Sequence, residues 1–122
     1  MLKNLLLALL LISPFSFADW GDVYYCQMTS FTKLIDTGYS YSFDLDKFQF
    51  KLDETKQAMV FGKGGYFNEY VLKLEVGFAW PQQEKWGFVD SVSRGRFWEG
   101  RLLYSILGEG YINTISADCD KL

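Results

Sequence analysis

Cys26 and Cys119 are the only cysteines in the chain, and they stand near the two ends of all that reads as structured. In an exported protein an even cysteine count is most simply a disulfide. Such a bond would tie the first element of the fold to the last. The chain-entropy estimate for a loop of this size is ~4–5 kcal/mol, a large share of the 5–15 kcal/mol that typically holds a small domain together. Two free thiols in redox service would be expected to show a CxxC spacing, and none is present.

Export is itself readable. MLKNLLLALLLISPFSFA carries Lys3, a leucine-rich run from Leu5 to Ile12, Pro14, and small residues at Ser16 and Ala18. This is the pattern of a cleaved secretory signal over residues 1–18, since the apolar run is too short for a stable membrane anchor. Residues 19–122 then form one β domain, placed in the periplasm or outside the cell. Without Lys3 the 12 basic residues become 11, against 15 acidic. A net negative domain is poorly suited to nucleic acid or anionic lipid.

The remaining chain reads as short strands between turn signals. YVLKLEVGF alternates strictly, with Leu72, Leu74, Val76 and Phe78 on one face and Lys73 and Glu75 on the other, as a half-buried antiparallel strand does. FQFKLDETKQAMVFG predicts a hairpin with 53–56 as its loop, pairing Phe50 with Met59 and Phe48 with Phe61. Phe31, Leu34 and Ile35 have helical spacing ahead of Gly38, which predicts one or two helical turns. YSYSFDLD fits either an irregular connection or a short edge strand.

The C-terminal hairpin turns at 107–110. A four-residue loop there sets Trp98 opposite Cys119 and Leu102 opposite Ile115, and keeps Arg101 outside near Glu99 and Asp118. On that register Trp98 packs on the disulfide, Gly100 makes room for the indole, and Arg96 shares the interior parity of Trp98. The fold that satisfies these patterns is all-β: a small antiparallel barrel of seven or eight strands, lipocalin-like or inhibitor-like, or else a closed sandwich. An even-stranded up-and-down barrel makes first and last strands neighbours, as the disulfide requires, and leaves no open edge. The charged residues facing away from the apolar faces, and the Asp-Lys-Leu terminus, argue against an outer-membrane barrel.

The layout of Tyr24-x-Cys26 near the start, Cys119 near the end and β-structure between resembles that of small periplasmic inhibitors of C-type lysozyme. The resemblance is one of architecture. It implies a small closed β domain, but the Ser-Gly-x-x-Tyr loop of those inhibitors is absent, and Gly64-Gly65-Tyr66 does not replace it.

Candidate binding residues follow from residue chemistry. Arg94, Arg96 and Arg101 are all the arginines in the chain. Arg94 and Arg96 at a sheet rim could hold a carboxylate, phosphate or sulfated group, or could be a solvated loop. Trp80, Trp86 and Tyr66 flank loops, where aromatic rings stack on sugars, grip a protein or cap the core. Asp44-Leu45-Asp46 is a fragment of a calcium loop without its downstream ligands. Histidine is absent, which removes the usual general base and the commonest metal ligand, and the spacing of Glu69, Glu75, Glu84 and Asp90 sets no two across a cleft. The sequence therefore points to a monomeric, non-catalytic binding module for a protein, glycan or small anionic ligand, recognised through loops 62–67, 80–86 and 93–96 and needing no metal or cofactor. A lipocalin-like carrier of a hydrophobic ligand is the alternative, and a small hydrolase the third reading.

Overall fold

The computed structural model describes residues 18–80 and 85–122, with the backbone path alone for 76–80. The nine strands among them are β1 (Val23–Ile35), β2 (Ser40–Ser42), β3 (Lys47–Asp53), β4 (Ala58–Phe61), β5 (Val71–Trp80), β6 (Lys85–Val89), β7 (Ser93–Trp98), β8 (Arg101–Gly108) and β9 (Tyr111–Lys121). All pairings are antiparallel. The sheet runs β2-β1-β3-β4-β5-β6-β7-β8-β9, and β1 also pairs with β9. Eight strands thus close an up-and-down barrel, and β2 is an additional strand hung on β1. The barrel, and not the sandwich, is the architecture. The expected signal peptide lies outside the described residues except for its last residue, Ala18, which is buried.

Closure occurs where the cysteines are. Leu122 donates its N–H to the Val23 carbonyl, so over the first half of β1, up to Gln27, the odd residues make the ladder bonds to β9. Cys26 and Cys119, direct partners, occupy a non-hydrogen-bonded position, where facing residues approach most closely. Their Cα atoms are 4.0 Å apart and the disulfide is formed. The bond lies inside the barrel, with both cysteines in the core.

The interior is filled with rings. Tyr24, Phe50 and Phe97 meet with centroids 4.7–5.4 Å apart, and Phe61 stacks on Phe67 at 4.2 Å. Trp20, from the segment before β1, meets Trp86 edge-on at 4.9 Å and packs against the core at one end of the barrel. At the other end Tyr66, Phe67 and Tyr104 pack on one another.

Four expectations are corrected. First, residues 31–35 are strand and not helical turns, because β1 carries a bulge. Met28 pairs with Ala117 and Ser30 with Ser116, leaving Thr29 as the extra residue. The bulge flips the alternation, so Tyr24, Cys26 and Met28 face inward before it and Phe31 after it. That break in period two is what mimics helical spacing. Second, both hairpins sit two residues from the expected register: Phe50 pairs with Phe61 and Leu52 with Met59, while Leu102 pairs with Ala117 and Tyr104 with Ile115. A two-residue shift preserves which side chains face inward.

Trp98 and Arg96 depart from their expected orientation for one shared reason. Trp98 and Arg101 are partners across a two-residue turn. Its central residues, Glu99 and Gly100, both have left-handed φ, 52° and 76°, as a type I′ hairpin turn demands. This turn, invisible in the assumed continuous strand, reverses the parity of everything before it. Ser93, Gly95 and Phe97 face inward; Arg94, Arg96 and Trp98 face solvent. Trp98 therefore does not cover the disulfide, and Arg96 is not on the interior side. Gly100 is required by backbone conformation and by the Cys119 carbonyl oxygen, which would stand 3.0 Å from an added Cβ.

Candidate functional site

The three arginines share one outer surface. Arg94 and Arg96 project from β7, and Arg101 from the start of β8. Between the first two stands Glu75 of β5, with its Oε2 2.9 Å from Arg96 Nη1 and its Oε1 3.7 Å from Arg94 Nη2. Glu75 is the more buried partner. The carboxylate that two neighbouring guanidiniums invite is thus supplied by the chain itself. Arg101 pairs in register with Asp118, and Lys85 Nζ lies 4.3 Å above the half-exposed Trp98 ring.

The aromatic candidates separate. Trp86 is buried, stacked on Phe88 and edge-on to Trp20, so it belongs to the core and not to a loop rim. Trp80 ends β5, and its side chain lies outside the described residues, as do residues 81–84 with Glu84. Tyr66 is partly exposed at the opposite end of the barrel, where its hydroxyl accepts a hydrogen bond from Asn113 Nδ2 at 3.2 Å. Trp86 is in register with Phe97, near the 99–100 turn, whereas Tyr66 touches Tyr104 and Asn113 near the far end of β8. Trp86 and Tyr66, expected to act together, are therefore split between the two ends, and residues 93–96, expected as a loop, are part of strand β7.

Beneath Tyr66 runs a polar network. Asp90 Oδ1 accepts from the Val92 and Ser93 N–H groups and from the Ser93 hydroxyl at 2.7–2.9 Å, and Tyr70 donates to Oδ2 of the same carboxylate. Burial pushes the Asp90 carboxyl up, but the donors of Val92 and Ser93 outweigh it and hold the group below its ordinary value of 3.8. Tyr104 is the reverse case. Burial, reinforced by Tyr66 and Asp90, pushes its phenol up to about 12 despite a hydrogen bond with Ser93. Each of these groups is satisfied within the β6–β7 turn and its neighbours, which is the arrangement of a structural clasp.

The feature least used by the fold is β2 and the residues after it. Tyr39, Tyr41, Phe43 and Leu45 alternate with Ser40, Ser42 and Asp44, a period-two pattern that ordinarily buries one face. Here the apolar members remain 68%, 50%, 43% and 52% exposed. Phe43 donates its N–H to Phe31, and Ile35 donates to the Tyr39 carbonyl. The odd residues thus bond to β1, and Ser40 and Ser42 turn their N–H and C=O groups toward the free side. β2 is the terminal strand of the sheet order, in a barrel otherwise closed on itself. Its aromatic face continues through Phe43 onto Phe31 and Tyr66, with ring centroids 4.8 and 4.9 Å apart. The alternation was the available signal, masked by the serines and aspartates that make YSYSFDLD resemble a connection.

Asp46, in the calcium-loop fragment, caps the Lys47 N–H and accepts from Tyr66 N–H. Among the described residues no three His, Cys, Asp or Glu side chains come together to hold a metal ion. Comparison with protein-family models, curated proteins and solved structures finds no match.

Proposed function

We propose that the chain is a non-catalytic binding module, periplasmic or secreted, that takes an extended segment of a partner protein as an additional strand on β2. The observation that carries this reading is the combination at residues 39–45 of a free backbone edge with an unburied, regularly alternating apolar face. Edge strands of this kind recruit a partner strand through main-chain hydrogen bonds, while the alternate side chains give selectivity. Proteins normally blunt such edges with charge, proline or a cover, and β2 is covered by nothing among the described residues. The disulfide is consistent with an oxidising compartment.

Other features support recognition on the outside. The ring-filled interior has little room for a carried ligand. Lys47, Lys51 and Lys73 on the outer wall are exposed, which suits water better than lipid. Glu75 and Asp90 are each engaged by neighbours, which leaves them poorly placed as a catalytic carboxylate pair.

The test is capture from envelope extract by immobilised wild-type protein and by the Tyr39→Ser/Tyr41→Ser double variant, whose changes are on exposed positions and leave the core intact. The proposal expects a protein retained by the wild type and lost from the variant. Retention by both, or recovery of only a second copy of this chain, would contradict it.

A further inference from the structure

We infer that the outer wall above the disulfide is a saccharide-binding groove, with Tyr25 as its stacking platform. The groove is open to solvent and has a volume of about 430 Å³ across β3, β1 and β9, within the ~300–1,000 Å³ usual for small-ligand sites. It lies at the opposite end of β1 from β2 and is independent of the strand-addition reading.

Two rows of paired residues build it. Tyr25 stands between Asp120 and Gln49, and Gln27 between Asp118 and Lys47. Lys63 reaches in from the loop after β4. The Tyr25 ring is half exposed, and the wall around it sets polar side chains beside Cys26 and Phe48. An exposed ring with polar groups to either side presents a flat apolar face on which the C–H face of a pyranose can lie. Gln27 Nε2 is already committed to the Met28 and Asp46 carbonyls, so its carbonyl oxygen is left to accept. With the Asp118 and Asp120 carboxylates it makes a row of acceptors for hydroxyl groups. Lys47 and Lys63 supply donors opposite.

The charge balance selects the ligand class. Two carboxylates and two ammonium groups line the groove, so neither a polyanion nor a polycation is favoured, and a neutral ligand bearing both donors and acceptors is matched.

The disulfide contributes to this site. Cys26 and Cys119 form the cross-strand pair lying between the Tyr25–Asp120 and Gln27–Asp118 pairs. A covalent tie there fixes the separation of the two rows, which lowers the ordering cost of binding. The bond that closes the barrel also holds the groove in shape.

Full-length mature protein labelled with nitrogen-15 is titrated with chitotetraose, maltotetraose, cellotetraose and, as a competing chemistry, tetralysine, and read by amide chemical shifts. The inference expects at least one saccharide to shift residues 25–27, 47–49 and 118–120. Tyr25→Ala should weaken that binding about fivefold, since a lost stacking partner costs on the order of 1 kcal/mol. Tyr25→Phe should retain most of it, and the Tyr41→Ser variant should bind as wild type. No saccharide binding, binding indifferent to Tyr25→Ala, or a groove that answers only to tetralysine would each overturn the assignment.

Discussion

Arg96 holds Glu75 at 2.9 Å on the outside of the barrel, and that contact ties β7 to a strand two places away in the sheet. The pair is partly buried on the glutamate side, so removing either partner has unequal effects. Arg96→Ala leaves a largely buried carboxylate that keeps, among the described residues, the longer Arg94 contact, and should cost about 1 kcal/mol. Glu75→Gln removes the charge and should cost less. Urea melts of the two variants at low and high salt check this, with the Arg96 effect shrinking as salt rises.

The disulfide is expected to dominate stability. Replacing Cys26 and Cys119 together by alanine relieves the constraint on the unfolded chain and should cost about 3–5 kcal/mol. The closing ladder of β1 and β9 should lose protection first. Equilibrium denaturation of the double variant beside wild type measures the loss, and a difference below 1 kcal/mol would mean that the β1–β9 ladder closes the barrel unaided.

Glu99 is a non-glycine residue in left-handed backbone at a type I′ turn position. Asparagine tolerates that region better and, before Gly100, makes the preferred Asn-Gly pair. Glu99→Asn should therefore stabilise by about 0.5–1 kcal/mol, read as a higher denaturation midpoint with an unchanged slope.

The Asp90–Tyr104 cluster makes stability fall at both pH extremes. Asp90 is depressed on folding, so its contribution is complete above its ordinary value of 3.8 and is lost as pH drops through the lower folded value. Tyr104 is raised from 10.0 to about 12, so its contribution is complete below pH 10 and fades as pH climbs toward 12. Tyr104→Phe should flatten the alkaline limb of a stability-against-pH curve and leave the acid limb unchanged. Asp90→Asn should do the opposite.

Much of this architecture was legible in the chain. Leu72 and Leu74 alternating with Lys73 revealed a half-buried strand, and the two cysteines implied a seam between first and last strands. Both hairpins were read with the right faces and a register two residues away, because an even shift leaves the apolar side inward and hydrophobic pattern alone cannot choose between such registers. Parity failed at two places where one residue upset the count: the Thr29 bulge, which carries no glycine to announce it, and Glu99, whose residue type does not suggest a turn. The second error moved the arginines and Trp98 from inside to outside. The groove beside Tyr25 is made from residues of three strands far apart in sequence, and no local spacing could have assembled it.

In the proposed binding mode β2 offers its free edge to a partner strand. Amide hydrogen exchange of the protein, alone and with the protein it captures, measures this at Ser40 and Ser42. Strong slowing at those two amides on complex formation is the predicted result. Unchanged exchange there, with protection arising on β7 and β8 around Arg94 and Arg96 instead, would contradict it.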